Sequence, residues 1–378
     1  MRITTGLIPG QPLTLRVRAA VTVLCLLLAT TLGVCTADDS GFRPGQGAPT
    51  PPTAATAATF LATYVERDGR VNRPDQGNDT VSEGQAYGLL LAETTGNDRL
   101  FNLIWQWTRV HLQLGNRLFA YHASAAGQIL SPEAASDADL LIAWVLLRYT
   151  GPGAVALHSD GRQVADAVLA HEVTFGAGRM PILAAGPWAT GNPATLNPSY
   201  WSLPALTGLA RLTGDPEWQH LADSALLLTR QLTRGGRLLP PDWAELTAAG
   251  QMLPEAAPDG SRPQPEYGLD AQRTVAWFAA SCNPQASALA ARWWPLLRAS
   301  ARSQALALQL NGKVLVPAKA VLPLVAAASA AHATGDHTAS LRLLSQAARQ
   351  QRHYPGYYGG AWAAFGPLLI NSHVLSGC

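Results

Sequence analysis

From about residue 57 onward the chain repeats one pattern. Apolar residues return every three or four positions over one helix's length, then a cluster of Gly, Pro, Ser or Asp interrupts them. Twelve such segments can be read, from "AATFLATYVERDG" through "SDADLLIAWVLLRYTG" to "GGAWAAFGPLLINSHV". Many stop at Gly and restart at Ser or Asp. In "TGDPEW", Asp215 is the expected N-cap and Pro216 the first helical residue. Strand-like alternation is confined to "KVLV", and no self-similarity of ~34 residues marks a helical solenoid. The expected class is therefore all-α, about twelve helices closed into one ring, with a single domain running from residue 57 to 378.

The first 56 residues break the pattern. "RVRAAVTVLCLLLATTLGVCTADDS" places two arginines before an apolar run of signal-peptide length, followed by small residues, so residues 1–37 are expected to direct export. Three outcomes remain open: cleavage after Ala37, lipidation at Cys35 in "LGVC", or retention as a membrane anchor, the only membrane contact expected. Residues 38–56, rich in Pro, Gly, Thr and Ala, read as a linker. The expected location is the periplasm or the extracellular space.

Composition narrows the function classes. Of 378 residues 48% are apolar, enough for a large core, and a net charge of +2 without long runs of one sign gives no footprint for nucleic acid. Of the four cysteines, Cys25 and Cys35 belong to the targeting segment. Cys282 and Cys378 have no metal-ligand spacing, which leaves a disulfide or two thiols. The nine histidines are scattered, and no phosphate loop, dinucleotide fingerprint or nucleophile elbow is present.

What remains is a set of carboxylates at helix starts. In "TVSEGQAYG", Ser82 is an expected N-cap with Glu83 in the first turn and Gln85 completing a capping box. In "ASDADLL", Ser136 is the expected N-cap, followed by Asp137 and Asp139, and in "GLDAQR" Asp270 precedes Arg273 by one turn. Acids at helix N-termini need no function, because the macrodipole favours them by roughly 0.3–1 kcal/mol. It favours the ionised form, however, so a proton donor there must be buried or sit beside a second carboxylate. Glu83 near Asp137 or Asp139, with a more distant third acid, is equipment for cleaving a glycosidic bond. Aromatic rings in and beside loops, Trp105, Tyr121, Trp188, Trp201, Trp243 and Tyr358, are candidate platforms for sugar faces.

These residues match a known pattern. "DGRV" (68–71), "TVSEGQAYGLLLA" (80–92), "NDRLFNLIWQWT" (97–108), "ASDADLLIAWVLL" (135–147), "NPSYW" (197–201), "PPDW" (240–243), "DAQR" (270–273) and "YYGGAWAAFG" (357–366) resemble glycoside hydrolase family 8. Within it the chain looks most like the exported endo-β-1,4-glucanases encoded with bacterial cellulose synthases. The resemblance implies an (α/α)6 barrel and an inverting mechanism without metal or cofactor. It also assigns roles: Glu83 matches the proton donor, Asp270 the base that activates water, and Asp137 the acid that binds the distorted sugar. Tyr200 matches the tyrosine that helps hold the water, Arg273 the arginine beside the base, and Asp139 the second acid of the "ASDAD" signature.

The chain departs from those relatives at Leu269, Tyr121 and Val145, where they often carry Tyr, Trp and a small residue. Substrate preference is thus left open. A β-1,4-linked glucan is the expected substrate and a cellulose synthase complex a candidate partner. Xylan, mixed-linkage glucan and chitosan are the alternatives, chitosan being disfavoured because the motifs do not suggest an acidic cleft. A binding protein without turnover is the reading from another class.

Overall fold

The computed structural model describes residues 51–301, 305–372 and 374–376. The export segment, with Ala37 and Cys35, the first part of the linker and Cys378 lie outside the described residues. Cys282 is disulfide-bonded.

Thirteen helices carry the fold among the described residues: α1 (Pro51–Tyr64), α2 (Ser82–Thr94), α3 (Asp98–His111), α4 (Ser136–Arg148), α5 (Ala154–His171), α6 (Leu203–Thr213), α7 (Glu217–Leu232), α8 (Leu269–Ala280), α9 (Pro284–Arg292), α10 (Trp294–Ser300), α11 (Leu322–Ala333), α12 (His337–His353) and α13 (Tyr357–Asn371). Inner helices α2, α4, α6, α8, α11 and α13 touch their neighbours in sequence order, and α13 returns to α2. Outer helices α1, α3, α5, α7, α9 and α12 back them. The chain thus alternates outer and inner around a closed (α/α)6 barrel.

The segregation follows from sequence. α2, α4, α11 and α13 are Leu- and Ala-rich and buried around most of their circumference, as a helix apolar on every side must be. Outer helices such as α3 and α12 confine their apolar residues to one stripe. The barrel axis is plugged by Tyr87 of α2, Trp277 of α8, and Trp362 and Phe365 of α13, with Trp277 and Trp362 edge to face at 5.7 Å. Deleting one such ring costs ~3–5 kcal/mol.

Three local expectations need correction. One of the twelve expected helical segments, "PQASALAARWWPLLRASARS" (284–303), divides at Trp293, because Pro295 has no N–H to continue the ladder from α9 into α10. The linker drawn to residue 56 ends earlier: α1 begins at Pro51, its two prolines in the first turn where a missing N–H costs nothing, and Ala57 and Phe60 are buried. "KVLV" does supply a strand, β10 (Val314–Val316), but nine more appear among the described residues: β1 (Thr80–Val81), β2 (Ala120–Ala123), β3 (Ile129–Ala134), β4 (Val173–Phe175), β5 (Pro181–Leu183), β6 (Ala194–Leu196), β7 (Trp243–Leu246), β8 (Met252–Glu255) and β9 (Ala307–Leu308). They are too short for alternation to register. The antiparallel sheets β1-β2-β3 and β6-β7-β8 are built from segments leading into inner helices, so they wall one end of the barrel.

At that end, residue types do work the pattern did not foresee. Ser82 and Ser136 are the first helical residues, not caps. Ser136 Oγ donates to Ala184 O at 2.6 Å, pinning the start of α4. Gln85 makes no capping box: its Nε2 donates to Thr108 Oγ1 of α3 at 2.8 Å and its Oε1 accepts from Val71 N, joining α2, α3 and the loop before them. Asp215 does cap α7, accepting from Glu217 N at 2.9 Å, although the helix starts one residue later than expected.

Candidate active site

Glu83, Asp137 and Asp270 each occupy the second position of an inner helix, α2, α4 and α8. Because these helices start at the same end of the barrel, the three carboxylates converge there. They meet on one cation. Arg273 Nη1 lies 2.8 Å from Asp137 Oδ2 and 3.3 Å from Glu83 Oε1, and Nη2 lies 2.9 Å from Asp270 Oδ1. Glu83 and Asp137 therefore share one guanidinium nitrogen, while Asp270 takes the other.

Arg273 is almost fully buried, with its side chain 3% exposed. Burial works against its charge, but Tyr358, Tyr87, Asp270 and Glu83 outweigh it and hold its pKa well above the usual arginine value. Its remaining contacts fix the guanidinium plane: Nη2 donates to Ser199 Oγ at 2.8 Å, Nη1 reaches Tyr87 Oη at 3.4 Å, and the group stacks over Tyr200 at 5.3 Å. Asp270 is held from its second oxygen by Asn197 Nδ2 at 3.0 Å. Asn197 Oδ1 in turn accepts from Ser199 Oγ at 2.6 Å. The "NPSYW" turn thus carries one polar chain linking Asp270, Arg273 and Tyr200.

Exposure separates the acids. Asp137 is 7% exposed, Glu83 18% and Asp270 33%, so Asp270 opens most to the cleft. Burial, with the charges of Glu83 and Asp270, pushes the Asp137 carboxyl up to about 7 against the pull of Arg273. Burial and the charges of Asp137 and Asp270 push the Tyr200 phenol well above its ordinary value, so it is an uncharged O–H at neutral pH.

The cleft encloses about 500 Å3 and is walled by Tyr121 of β2, Glu133 of β3, Trp188, Tyr200, Trp243 of β7 and Asp259. A larger hollow of about 680 Å3 beside α1, lined by Glu66, Arg67 and Arg99, gathers no such constellation. Trp188 is 47% exposed, with its Nε1 tied to Ala134 O at 3.2 Å, and is the ring most available for stacking. Two expected platforms are elsewhere. Trp105 is buried against Phe119, with Nε1 on Asp160 of α5 at 3.3 Å, and Trp201 is buried with Nε1 on Leu183 O at 2.8 Å. Both pack the wall behind the cleft because their helix or turn directs them inward. Tyr358 is half-buried beside Arg273 and Glu83 and is not among the residues lining the cleft.

Several functional candidates escaped sequence reading. Asn197 and Ser199 sit in the quoted "NPSYW", and Asp242 in "PPDW", so the motifs contained them while the roles did not show. Asp242 Oδ1 accepts from Gly268 N at 2.9 Å and Ala271 N at 2.7 Å, capping α8 from another loop. A Cβ on Gly268 would collide with that carboxylate. Glu133 and Asp259 make the cleft more acidic than expected, five carboxylates facing one arginine. Among the described residues, no group of three or more His, Cys, Asp or Glu is arranged to hold a metal ion.

Comparison with known proteins identifies the family. The chain matches the family description "Glycosyl hydrolases family 8" over residues 52–308. It is 32% identical over 236 residues to a probable endoglucanase of Novacetimonas hansenii, covering 58% of this chain and 65% of that one. To an endoglucanase of Cellulomonas uda it is 31% identical over 250 residues, covering 65% and 68%. The matched stretch thus spans about two thirds of the length of these relatives. The solved structure of an endo-β-1,4-glucanase from Acetobacter xylinum superposes with a TM-score of 0.70 at 27% identity, covering 85% of this chain and 98% of that one. The chain belongs to glycosyl hydrolase family 8.

Proposed function

We propose that the protein is an exported, endo-acting, inverting hydrolase of β-1,4-glucan, trimming cellulose as a synthase complex produces it. The observation that carries the reading is the convergence of Glu83, Asp137 and Asp270 on Arg273 at the floor of an aromatic-walled cleft. The relatives named above, described as endoglucanases, support the polymer class.

In this reading Glu83 donates its proton to the glycosidic oxygen as the bond to the anomeric carbon breaks. Asp270, the most open of the three acids, takes a proton from the water whose oxygen bonds that carbon from the opposite face. Each turnover returns one proton to Glu83 from solvent and releases the one on Asp270. Asp137 holds the hydroxyls of the distorted sugar, and the neutral phenol of Tyr200 hydrogen-bonds the water. Arg273 keeps three carboxylates apart yet together, so their geometry is set before substrate arrives.

The test is viscosity loss and reducing-end release from hydroxyethylcellulose, with product anomers followed by NMR. A neutral polymer is chosen because five cleft carboxylates work against carboxymethyl groups. Wild type is expected to lower viscosity quickly and release inverted product, while folded Glu83→Gln and Asp270→Asn do neither. Full activity in either variant sinks its assigned role.

The same acidity favours a second reading in which the amines of a glucosamine polymer occupy the cleft. Glu133 and Asp259 are the residues that support it. Faster hydrolysis of chitosan than of hydroxyethylcellulose, reversed in Glu133→Gln/Asp259→Asn, would favour it over the glucan.

A further inference from the structure

Behind Asp137 lies a second pair of acids. Asp139, also in the first turn of α4, and Glu172, the residue that ends α5, are both 0% exposed. Their carboxyl groups face each other within hydrogen-bonding reach. Neither forms an ion pair among the described residues; the charged group that bears on both is Asp137. Asp139 Oδ1 accepts from Phe119 N at 2.9 Å, whereas Asp139 Oδ2 and both oxygens of Glu172 meet no donor if both groups are ionised. Two bare anions in contact away from water and cations repel each other and lose their hydration, and one proton between them removes the problem.

The geometry points to Asp139 and Glu172 as a proton-sharing pair that positions Asp137. Asp139 has the amide donor and keeps the negative charge; Glu172 is the neutral acid whose O–H donates to it. Burial, joined by the charge of Asp137, pushes both carboxyls up; the Phe119 amide and the contact with Glu172 pull Asp139 back down, whereas the charge and the hydrogen bond of Asp139 raise Glu172 further, so Glu172 is the better holder of the proton.

The pair closes a ring of ties around the start of α4. Glu172 O accepts from Ala184 N at 2.8 Å, Ala184 O accepts from Ser136 Oγ at 2.6 Å, and Ser136 begins the helix that carries Asp137 and Asp139. On the other side, Phe119 leads directly into β2, which presents Tyr121 to the cleft. Through these contacts the shared proton fixes the sugar-binding acid and one cleft wall relative to each other. Asp139 and Glu172 act through their neighbours and touch no substrate.

The test is infrared difference spectroscopy at neutral pH, wild type against Glu172→Gln. The C=O stretch of a protonated carboxylic acid is expected in wild type and lost in the variant; an unchanged band overturns the pair. Asp139→Asn gives the same reading if Glu172→Gln does not fold. Its amide can keep the Phe119 contact and donate to Glu172, which then ionises, so the band should again disappear, and its persistence overturns the pair.

Positioning is read separately by kcat. Glu172→Gln, which retains a donor, is expected within threefold of wild type, while Glu172→Met loses tenfold or more in kcat with KM little changed. Equal losses in both variants overturn the positioning role. This second arm rests on the sugar-binding role proposed for Asp137. The infrared arm does not, so a wild type inactive on every polymer but showing the band would overturn the catalytic reading alone.

Discussion

Arg273 and Asp137 meet at 2.8 Å across 136 positions of chain, which makes one arginine on α8 the counterion of an acid on α4. Both are buried, and the same guanidinium also reaches Glu83 and Asp270. Removing it leaves uncompensated carboxylates in the barrel floor, a change that costs roughly 3–5 kcal/mol when one partner of a buried pair is lost. Arg273→Met should therefore be destabilised by about that much at pH 8 and by less at pH 5, where the acids take up protons. Arg273→Lys keeps a charge but not the planar fork that reaches acids on two sides. It should fold better than Arg273→Met yet lose on the order of 100-fold in kcat, because the acids shift out of register. Urea titrations at two pH values and steady-state kinetics check both variants.

The raised carboxyl of Asp137 gives stability a defined pH dependence. A carboxyl whose folded pKa lies above its unfolded value binds more protons in the folded state between the two values. Its stabilising contribution is fully present below the unfolded value near ~4 and is lost as pH rises toward the folded value of about 7. Wild type should thus lose stability across that window, by up to a few kcal/mol from this group. Asp137→Asn cannot titrate and should show a shallower slope between pH 4 and 7. Equal slopes in urea unfolding would refute the assignment.

Much of this was legible because clusters of Gly, Pro, Ser and Asp cut the chain into twelve segments of helical apolar spacing, and counting them gave a ring. The acids at helix starts were legible too, since first-turn positions follow from where the apolar run begins. Long-range partners were not. Nothing local in Glu172 says that it faces Asp139, or in Gln85 that it spans to Thr108, because those pairings are set by how helices dock. Trp105 and Trp188 look alike in sequence, and only tertiary direction sends one into the wall and the other into the cleft.

Asp242 tests whether α8 is held from outside. Its carboxylate accepts from Gly268 N and Ala271 N, standing in for a cap that α8 does not carry itself, next to Asp270. Asp242→Ala should cost about 0.5–2 kcal/mol, as for loss of an N-cap. It should also lower kcat by letting the first turn of α8 fray. Asp242→Asn, which keeps an acceptor oxygen, should lose less of each. Gly268→Ala should mimic Asp242→Ala, because its Cβ needs the space the carboxylate occupies. Thermal unfolding with kinetics on all three checks this, and normal kcat in Gly268→Ala would show that the capping contact is dispensable.

The two groups of tryptophan and tyrosine should separate by kinetic signature. Trp188 and Tyr121 are 47% and 40% exposed in the cleft, so their faces are available to pyranose rings. Each alanine substitution should weaken polymer binding by about 0.5–1.5 kcal/mol, a two- to tenfold rise in KM with kcat nearly unchanged. Trp105 and Trp201 have their indole N–H groups bonded and their rings buried. Phenylalanine there removes a buried hydrogen bond and some volume, so Trp105→Phe and Trp201→Phe should lower unfolding free energy by roughly 1–3 kcal/mol and leave KM in place. Measuring KM and stability for all four variants discriminates the groups: a KM effect at Trp201 without a stability effect would mean that the ring reaches substrate after all.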